Sequence, residues 1–140
     1  FRYVNKNAFA IAGYGKIALT GDYGISWLLP KIVGISNAKN IMFSNKRVSA
    51  LEGLNIGLFD KIIEENNLLK STLEFANVLS SFSPLALKAM KNNMQNYTEL
   101  TLEESLLQEA TVLINTSKSN DHKEGIKAFV EKRKPIFTGT

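Results

Sequence analysis

The second half of the chain is patterned for α-helices almost without interruption, and this limits the folds open to all 140 residues. From about residue 67 onward, apolar side chains recur every three or four residues, as they do on one face of an amphipathic helix. The first half offers only short strand candidates, at residues 2–4, 8–12 and 58–63. Two or three such strands do not form a stable sheet unaided. We therefore predict an α+β, mostly helical chain, with strands, loops and short helices over residues 1–66 and a helical region over residues 67–140.

Short capping signals mark several helix ends. The spacing of a capping box, in which two side chains bond reciprocally to each other's backbone N–H groups, occurs at Ser49 with Glu52 and at Thr101 with Glu104. Gly57 predicts a left-handed end for the first of these helices. The apolar stripes of the helical region are Leu68, Thr72, Phe75, Leu79 and Phe82; Ala86, Met90, Met94 and Tyr97; Leu102, Leu106, Ala110 and Leu113; and Ile126, Phe129 and Val130. We predict that the last stripe is buried and that Met90 and Met94 fill the core or a subunit interface.

A glycine-rich loop with a single acidic residue lies between the second strand candidate and the first helix. Residues 13–24 contain four glycines and Asp22. Glycine permits backbone conformations and close approaches that a Cβ would prevent. A carboxylate among glycines and beside apolar residues is a candidate acid or base, and the alternative is a loop aspartate that bonds to nearby backbone N–H groups. Pro30 is predicted to kink or end the helix that follows, and Gly34 to interrupt it.

Composition excludes several classes of protein. The hydrophobic fraction of 44% and charged fraction of 21% are those of a soluble globular protein. No apolar run approaches the ~20 residues of a membrane span, so we predict no membrane partner. The absence of cysteine excludes disulfides and thiolate chemistry. With a single histidine, His122, we predict no metal site and expect that residue to be packed or to cap a helix.

The net charge of +4 arises largely near the C-terminus, where acidic residues are mixed with the basic ones. This mixture favours a solvated helix face over a nucleic-acid surface. The more specific alternative is that these basic residues bind a small ligand that carries a phosphate. The chain opens at Phe1 with an apolar, strand-like stretch, so we expect further residues before it.

Three stretches together resemble the crotonase superfamily, the enoyl-CoA hydratases and isomerases. They are residues 16–34, with the Asp22 loop and the helix after it; residues 48–62; and residues 119–135. In this order and at these separations they cover essentially the whole chain. The resemblance implies the end of a spiral of ββα units over residues 1–66, followed by a helical trimerisation region over residues 67–140. It also implies that this chain corresponds to the C-terminal half of such an enzyme.

The resemblance assigns roles to individual residues. Enoyl-CoA hydratases of this family use two glutamates, and one of those positions falls at Gly13, which has no side chain. Asp22 falls where the family's isomerases have a catalytic carboxylate, so isomerisation is favoured over hydration. Phe129 and Lys132 fall where the last helix reaches the adenine and a phosphate of coenzyme A, and the alternative is a buried phenylalanine and a solvated lysine. Tyr14 and Trp27 flank the loop and are candidates to line the acyl pocket, or else to lie in the core.

The functional prediction is a C-terminal fragment of an enzyme that acts on acyl-CoA thioesters by enolate chemistry. The resemblance places the two backbone N–H groups of the oxyanion hole before Phe1, so we expect the fragment alone to be inactive. We expect no cofactor besides the coenzyme A of the substrate, a cytoplasmic location, and a homo-oligomer, trimer or hexamer, when intact. The alternative is a non-catalytic helical oligomerisation module derived from the same family.

Overall fold

The computed structural model describes residues 1–95 and 98–140, so the predicted stripe residue Tyr97 lies outside the described residues. The strands are β1 (Tyr3–Asn5), β2 (Phe9–Ala10), β3 (Val48–Ser49) and β4 (Lys61–Ile63). The helices are α1 (Ile25–Ser44), α2 (Ala50–Asn55), α3 (Leu68–Ser80), α4 (Pro84–Gln95), α5 (Leu102–Ser117) and α6 (Asn120–Val130). The chain forms two compact units, Phe1–Leu73 and Glu74–Thr140. The prediction of an α+β, mostly helical fold is confirmed.

Two small sheets hold the strands of the first unit. β1 pairs with β4 in parallel, with Val4 opposite Ile62, and β2 pairs with β3 in antiparallel orientation, with Ala10 opposite Val48. The three predicted strands are present, the first shifted by one residue and the other two shorter than predicted. The sequence did not predict the two-residue strand β3, because so short a strand carries no alternation of its own. Helix α1 packs its buried face against β3, forming a core of Leu29, Val33, Ala38, Ile41 and Val48.

Helix α1 carries the break predicted for this segment, at Gly34. Gly34 has φ 76° and ψ 155°, values outside the helical region, and the helix resumes after it through Ser44. Pro30 lies inside the first part without ending it, contrary to the prediction. Proline removes one backbone hydrogen bond there, and the neighbouring buried Leu29 and Val33 keep that part of the helix on the core.

Helix α2 begins with one of the two bonds of the capping box predicted at Ser49 and Glu52, and it ends as predicted at Gly57. The backbone N–H of Glu52 donates to Ser49 Oγ (3.2 Å), while the Glu52 carboxylate accepts from Lys46 Nζ (2.6 Å). Gly57, at φ 77°, follows the helix, and the N–H of Leu58 donates to the carbonyl of Gly53 (2.7 Å). This is the left-handed helix end predicted at Gly57.

The apolar stripes of the second unit do not face inward as periodicity suggested. Met90 and Met94 on α4 are 59% and 71% exposed, so the prediction that they fill the core is wrong, and the alternative of a subunit interface stays a prediction. The stripes of α5 and α6 are also exposed, at Leu102, Leu106, Leu113, Ile126, Phe129 and Val130. Helix α5 instead turns Ser105, Gln108, Val112 and Thr116 inward. Small and polar side chains let α4 and α5 pack closely, and a contact from Gln108 Nε2 to Asn93 Oδ1 (3.1 Å) joins them.

The segment after α6 folds back onto that helix. Ser119 caps α6 by accepting from the backbone N–H of His122, whose side chain is exposed rather than packed. Asp121 is only 3% exposed. Its carboxylate accepts from Ser83 Oγ (2.6 Å) and from the backbone N–H groups of Thr138 (2.7 Å) and Gly139 (3.1 Å). Asp121 therefore ties α6 to both the start of α4 and the last residues of the chain.

A second carboxylate of α6 holds the same segment. Glu124 accepts two hydrogen bonds from the Arg133 guanidinium (2.5 and 2.8 Å) and one from the N–H of Ile136 (2.9 Å). The charges near the C-terminus are therefore partly paired with one another, as expected for a solvated helix face. No helix within residues 1–95 and 98–140 is both long and apolar enough to cross a membrane.

Candidate active-site loop

The loop between β2 and α1 is closed by its own backbone and fixed at its start. Gly13 and Ala18 flank a 3-10 turn, Tyr14–Ile17, and both have left-handed φ values, 75° and 58°. The N–H of Leu19 donates to the Tyr14 carbonyl (3.1 Å). The N–H of Gly13 donates to Oδ1 of Asn45 (2.7 Å), a residue only 8% exposed. This last contact anchors the loop to the end of α1.

Gly21 is required for the loop to pass close to α1. Its φ is 122°, and an added Cβ would lie 2.8 Å from Ile25 Cγ2 and 3.4 Å from Met42 Cε. Any side chain would therefore displace the loop from the helix. The next residue, Asp22, accepts a hydrogen bond at its carbonyl from the N–H of Ile25 (3.0 Å), which fixes it at the start of α1.

Asp22 and Tyr14 meet across this loop. The Tyr14 phenol donates a hydrogen bond to Asp22 Oδ1. That hydrogen bond, with lesser effects of burial and of the negative charge, raises the pKa of Tyr14 above its ordinary value. Asp22 is exposed, and in the part of the chain that the structure describes its carboxylate pairs with no lysine or arginine. The Asp22 carboxylate is therefore hydrogen-bonded to the side chain of Tyr14. The alternative predicted for this residue was a hydrogen bond to nearby backbone N–H groups.

Trp27 lies one turn into α1, in the same unit as Asp22. Its side chain is 60% exposed, so the alternative that it belongs to the core is wrong. Lys31 Nζ lies 3.5 Å from the centroid of the indole ring, a cation–π contact. Tyr14 is half-buried, with its ring beside Gly21.

The two residues predicted to contact coenzyme A lie at the end of α6, in the second unit. Phe129 is 85% exposed, which overturns the alternative of a buried phenylalanine. Lys132 has φ 53°, although a residue with a side chain is disfavoured there. The N–H of Lys132 donates to the Phe129 carbonyl (3.2 Å), and that of Arg133 to the Ala128 carbonyl (3.0 Å). Lys132 thus occupies the left-handed helix end where glycine is usual.

Phe129 also contributes to a cleft of about 440 Å³ within the second unit. Its apolar lining comes from Leu85, Ala86, Leu113, Ile126, Phe129 and Phe137. The polar side chains at its edge include Asp121, whose carboxylate is already bonded to Ser83 and to the C-terminal segment. Within the described residues, no three His, Asp or Glu side chains are grouped closely enough to hold a metal ion.

Sequence reasoning missed Asn45, which anchors Gly13. Asn45 has φ 52° at the end of α1, and asparagine is among the few residues that tolerate this conformation. Its place after an apolar helix could have suggested a helix end, but nothing in the sequence links it to a residue 32 positions away.

Comparison with known proteins places this fold and loop in the crotonase superfamily. The family model for enoyl-CoA hydratase/isomerase matches residues 1–140, and the chain belongs to that family. The chain is 30% identical over 118 residues to a short-chain-enoyl-CoA hydratase of Clostridium acetobutylicum, covering 84% of this chain and 45% of that protein. It is 26% identical over 134 residues to the 1,2-epoxyphenylacetyl-CoA isomerase of Escherichia coli, covering 96% and 51%.

The crystal structure of an enoyl-CoA hydratase from Bacillus anthracis superposes on this chain with a TM-score of 0.94 at 26% identity. The match covers 100% of this chain and 54% of that one. The chain thus spans about half the length of the relatives it matches. Those relatives are named as hydratases and as isomerases.

Proposed function

We propose that this chain is the C-terminal half of an acyl-CoA isomerase that shifts a carbon–carbon double bond. The observation that carries the proposal is the Asp22 carboxylate, exposed at the start of α1, bonded to Tyr14 and paired with no cation in the described chain. Such a carboxylate is free to accept a proton. At Gly13, where the resemblance implies a hydratase glutamate, there is no side chain to orient water.

In the proposed reaction, Asp22 removes a proton from C2 of a 3-enoyl thioester and returns it at C4. The double bond moves to C2–C3, and no atom is gained or lost. The enolate oxygen formed in between requires fixed hydrogen-bond donors. By the family resemblance these donors belong to a segment preceding Phe1, so the isolated chain is expected to be inactive.

Other parts of the proposal concern binding and assembly. Tyr14 and Trp27 are proposed to line the acyl pocket, and Phe129 and Lys132 to contact the adenine and a phosphate of coenzyme A. The exposure of Phe129 supports this, because its ring is open to a ligand, whereas the exposure of Lys132 fits a solvated lysine equally well. We propose a cytoplasmic homo-oligomer, trimer or hexamer, with coenzyme A present only as part of the substrate.

The test is to assay the full-length gene product with a 3-enoyl-CoA and a 2-enoyl-CoA side by side. We expect double-bond migration to exceed water addition at least tenfold in kcat/KM, because Gly13 cannot activate water. The change in absorbance of the conjugated thioester follows both reactions. The chain 1–140 alone is the matched control and is expected to show neither. Faster hydration than isomerisation would overturn the proposal.

Replacing Lys132 by glycine is expected to stabilise the protein and weaken binding of coenzyme A. Relief of the left-handed conformation should raise the free energy of unfolding by about 1 kcal/mol. Loss of the lysine–phosphate contact should raise the Kd for coenzyme A roughly tenfold. Urea unfolding followed by circular dichroism and calorimetric titration measure the two effects. Lys134→Gly, which removes a nearby charge, is the control and should not stabilise. An unchanged Kd would remove Lys132 from the site.

A second candidate function is a non-catalytic oligomerisation module. The exposed apolar stripes of α4, α5 and α6, including Met90, Leu106 and Ile126, favour an assembly surface. This candidate predicts defined oligomers of the chain, no turnover in the full-length product and no binding of coenzyme A. Light scattering combined with a titration of coenzyme A separates it from the isomerase.

A further inference from the structure

The Asp22 carboxylate is held by one side chain from the far side of its own loop. Tyr14 and Asp22 are eight residues apart, and the loop between them is closed by the Leu19–Tyr14 backbone hydrogen bond. The Tyr14 ring lies 3.9 Å from the position that a Cβ on Gly21 would take. The half-buried Tyr14 ring therefore lies beside Gly21, the residue that precedes Asp22 in the chain.

We propose that Tyr14 is a positioning residue, whose phenol holds Oδ1 of Asp22 so that Oδ2 is the oxygen that accepts and returns the proton. This inference rests on the proposed function, and it assigns Tyr14 a task beyond that of lining a pocket. An exposed aspartate would otherwise sample several rotamers, and only a fraction of them would point at the reacting carbon. Fixing the base in one orientation is the kind of contribution that proximity makes to catalysis.

The charges around the pair fit this role. The titratable groups that face the Tyr14 phenol are Asp22 and Tyr23, both from the loop, while α1 presents the apolar Ile25 and Met42 to this part of the loop. Because the pKa of Tyr14 is raised, the phenol keeps its proton at neutral pH and remains a donor. In the described chain no lysine or arginine pairs with Asp22, so Tyr14 is the side chain that holds its carboxylate.

The test compares Tyr14→Phe with Asp22→Asn and with the double variant in the full-length gene product. Tyr14→Phe should lower kcat roughly ten- to thirtyfold, with KM changed less than twofold. The double variant should be no slower than Asp22→Asn alone, since Tyr14 acts only through that carboxylate. Tyr23→Phe, at a neighbouring residue that is 93% exposed, is the matched control and should behave as wild type.

A titration of tyrosine absorbance in the chain itself tests the contact without relying on activity. In Asp22→Ala, which removes the acceptor, Tyr14 should titrate closer to its ordinary pKa of 10.0, and subtracting the spectrum of Tyr14→Phe isolates its signal. An unchanged titration overturns the positioning role, as does a Tyr14→Phe enzyme with wild-type kcat while Asp22→Asn is inactive. If wild type does not isomerise, or Asp22→Asn retains full activity, the proposed function fails and this inference fails with it.

Discussion

Replacing Asp22 by asparagine is expected to lower kcat for double-bond isomerisation about a thousandfold in the full-length gene product, with little change in KM. A positioned general base contributes about 10²- to 10⁴-fold to the rate of a proton transfer, and an amide cannot take up the proton. Asparagine has the size of aspartate, and its amide oxygen can still accept the hydrogen bond from Tyr14. The substitution therefore changes the chemistry while the loop around it is retained. Steady-state kinetics on a 3-enoyl-CoA measures the effect.

The matched control is Glu74→Gln, which makes the same change from carboxylate to amide at an exposed position on α3. It should leave both kcat and the melting temperature as in wild type. Circular dichroism of Asp22→Asn should show an unchanged melting profile, which separates lost chemistry from lost structure. Isomerase activity within threefold of wild type in Asp22→Asn would remove this residue from the mechanism.

The features that sequence predicted correctly are those decided within a few residues. Ser49 and Thr101 cap helices because a hydroxyl at that position reaches an N–H two or three residues on, whatever the rest of the fold does. Gly57 and Gly34 adopt positive φ values because glycine has no Cβ to oppose them, which is also a local property. Asp22 could also be singled out from the sequence, because a lone carboxylate among glycines is a local pattern.

The features that sequence did not predict depend on which surfaces meet. The apolar stripe of α5 is real, yet Leu106 is 56% exposed while Gln108 turns toward α4. Periodicity identifies an amphipathic face, but it does not tell whether that face packs within the same unit. The contact of Tyr14 with Asp22 forms only when the loop between them is closed. The contact of Asn45 with Gly13 forms only when α1 brings its C-terminal end back to the start of the loop. Neither contact has a signature in the residues alone.

The C-terminal segment offers the largest expected effect on stability. Asp121→Ala removes the acceptor shared by Ser83, Thr138 and Gly139 and leaves three donors in part-buried contacts without this partner. We expect the melting temperature of the second unit to fall on the order of 10 °C. Hydrogen exchange of residues 136–140 should become fast, because Asp121 holds the backbone there. Asp121→Asn keeps one acceptor oxygen, so its melting temperature should lie between those of wild type and Asp121→Ala.

The two carboxylates of α6 that hold the C-terminal segment, Asp121 and Glu124, also predict how the stability of the protein responds to acid. The pKa of Asp121 is lowered, chiefly by the hydrogen bond from Ser83, and that of Glu124 is lowered from 4.5 to about 2, chiefly by Arg133. The folded state therefore binds fewer protons than the unfolded state in this range. The stability that the two carboxylates contribute is complete above their ordinary pKa values of 3.8 and 4.5, and it is lost as the pH falls toward 2. Protection of residues 136–140 from hydrogen exchange should fall over the same interval.

In Asp121→Asn the dependence of stability on pH should be shallower, since one of the two titrating groups is gone. Two results would mean that residues 136–140 are held by something other than these carboxylates. One is equal acid sensitivity of wild type and Asp121→Asn, and the other is full protection of residues 136–140 from hydrogen exchange in Asp121→Ala.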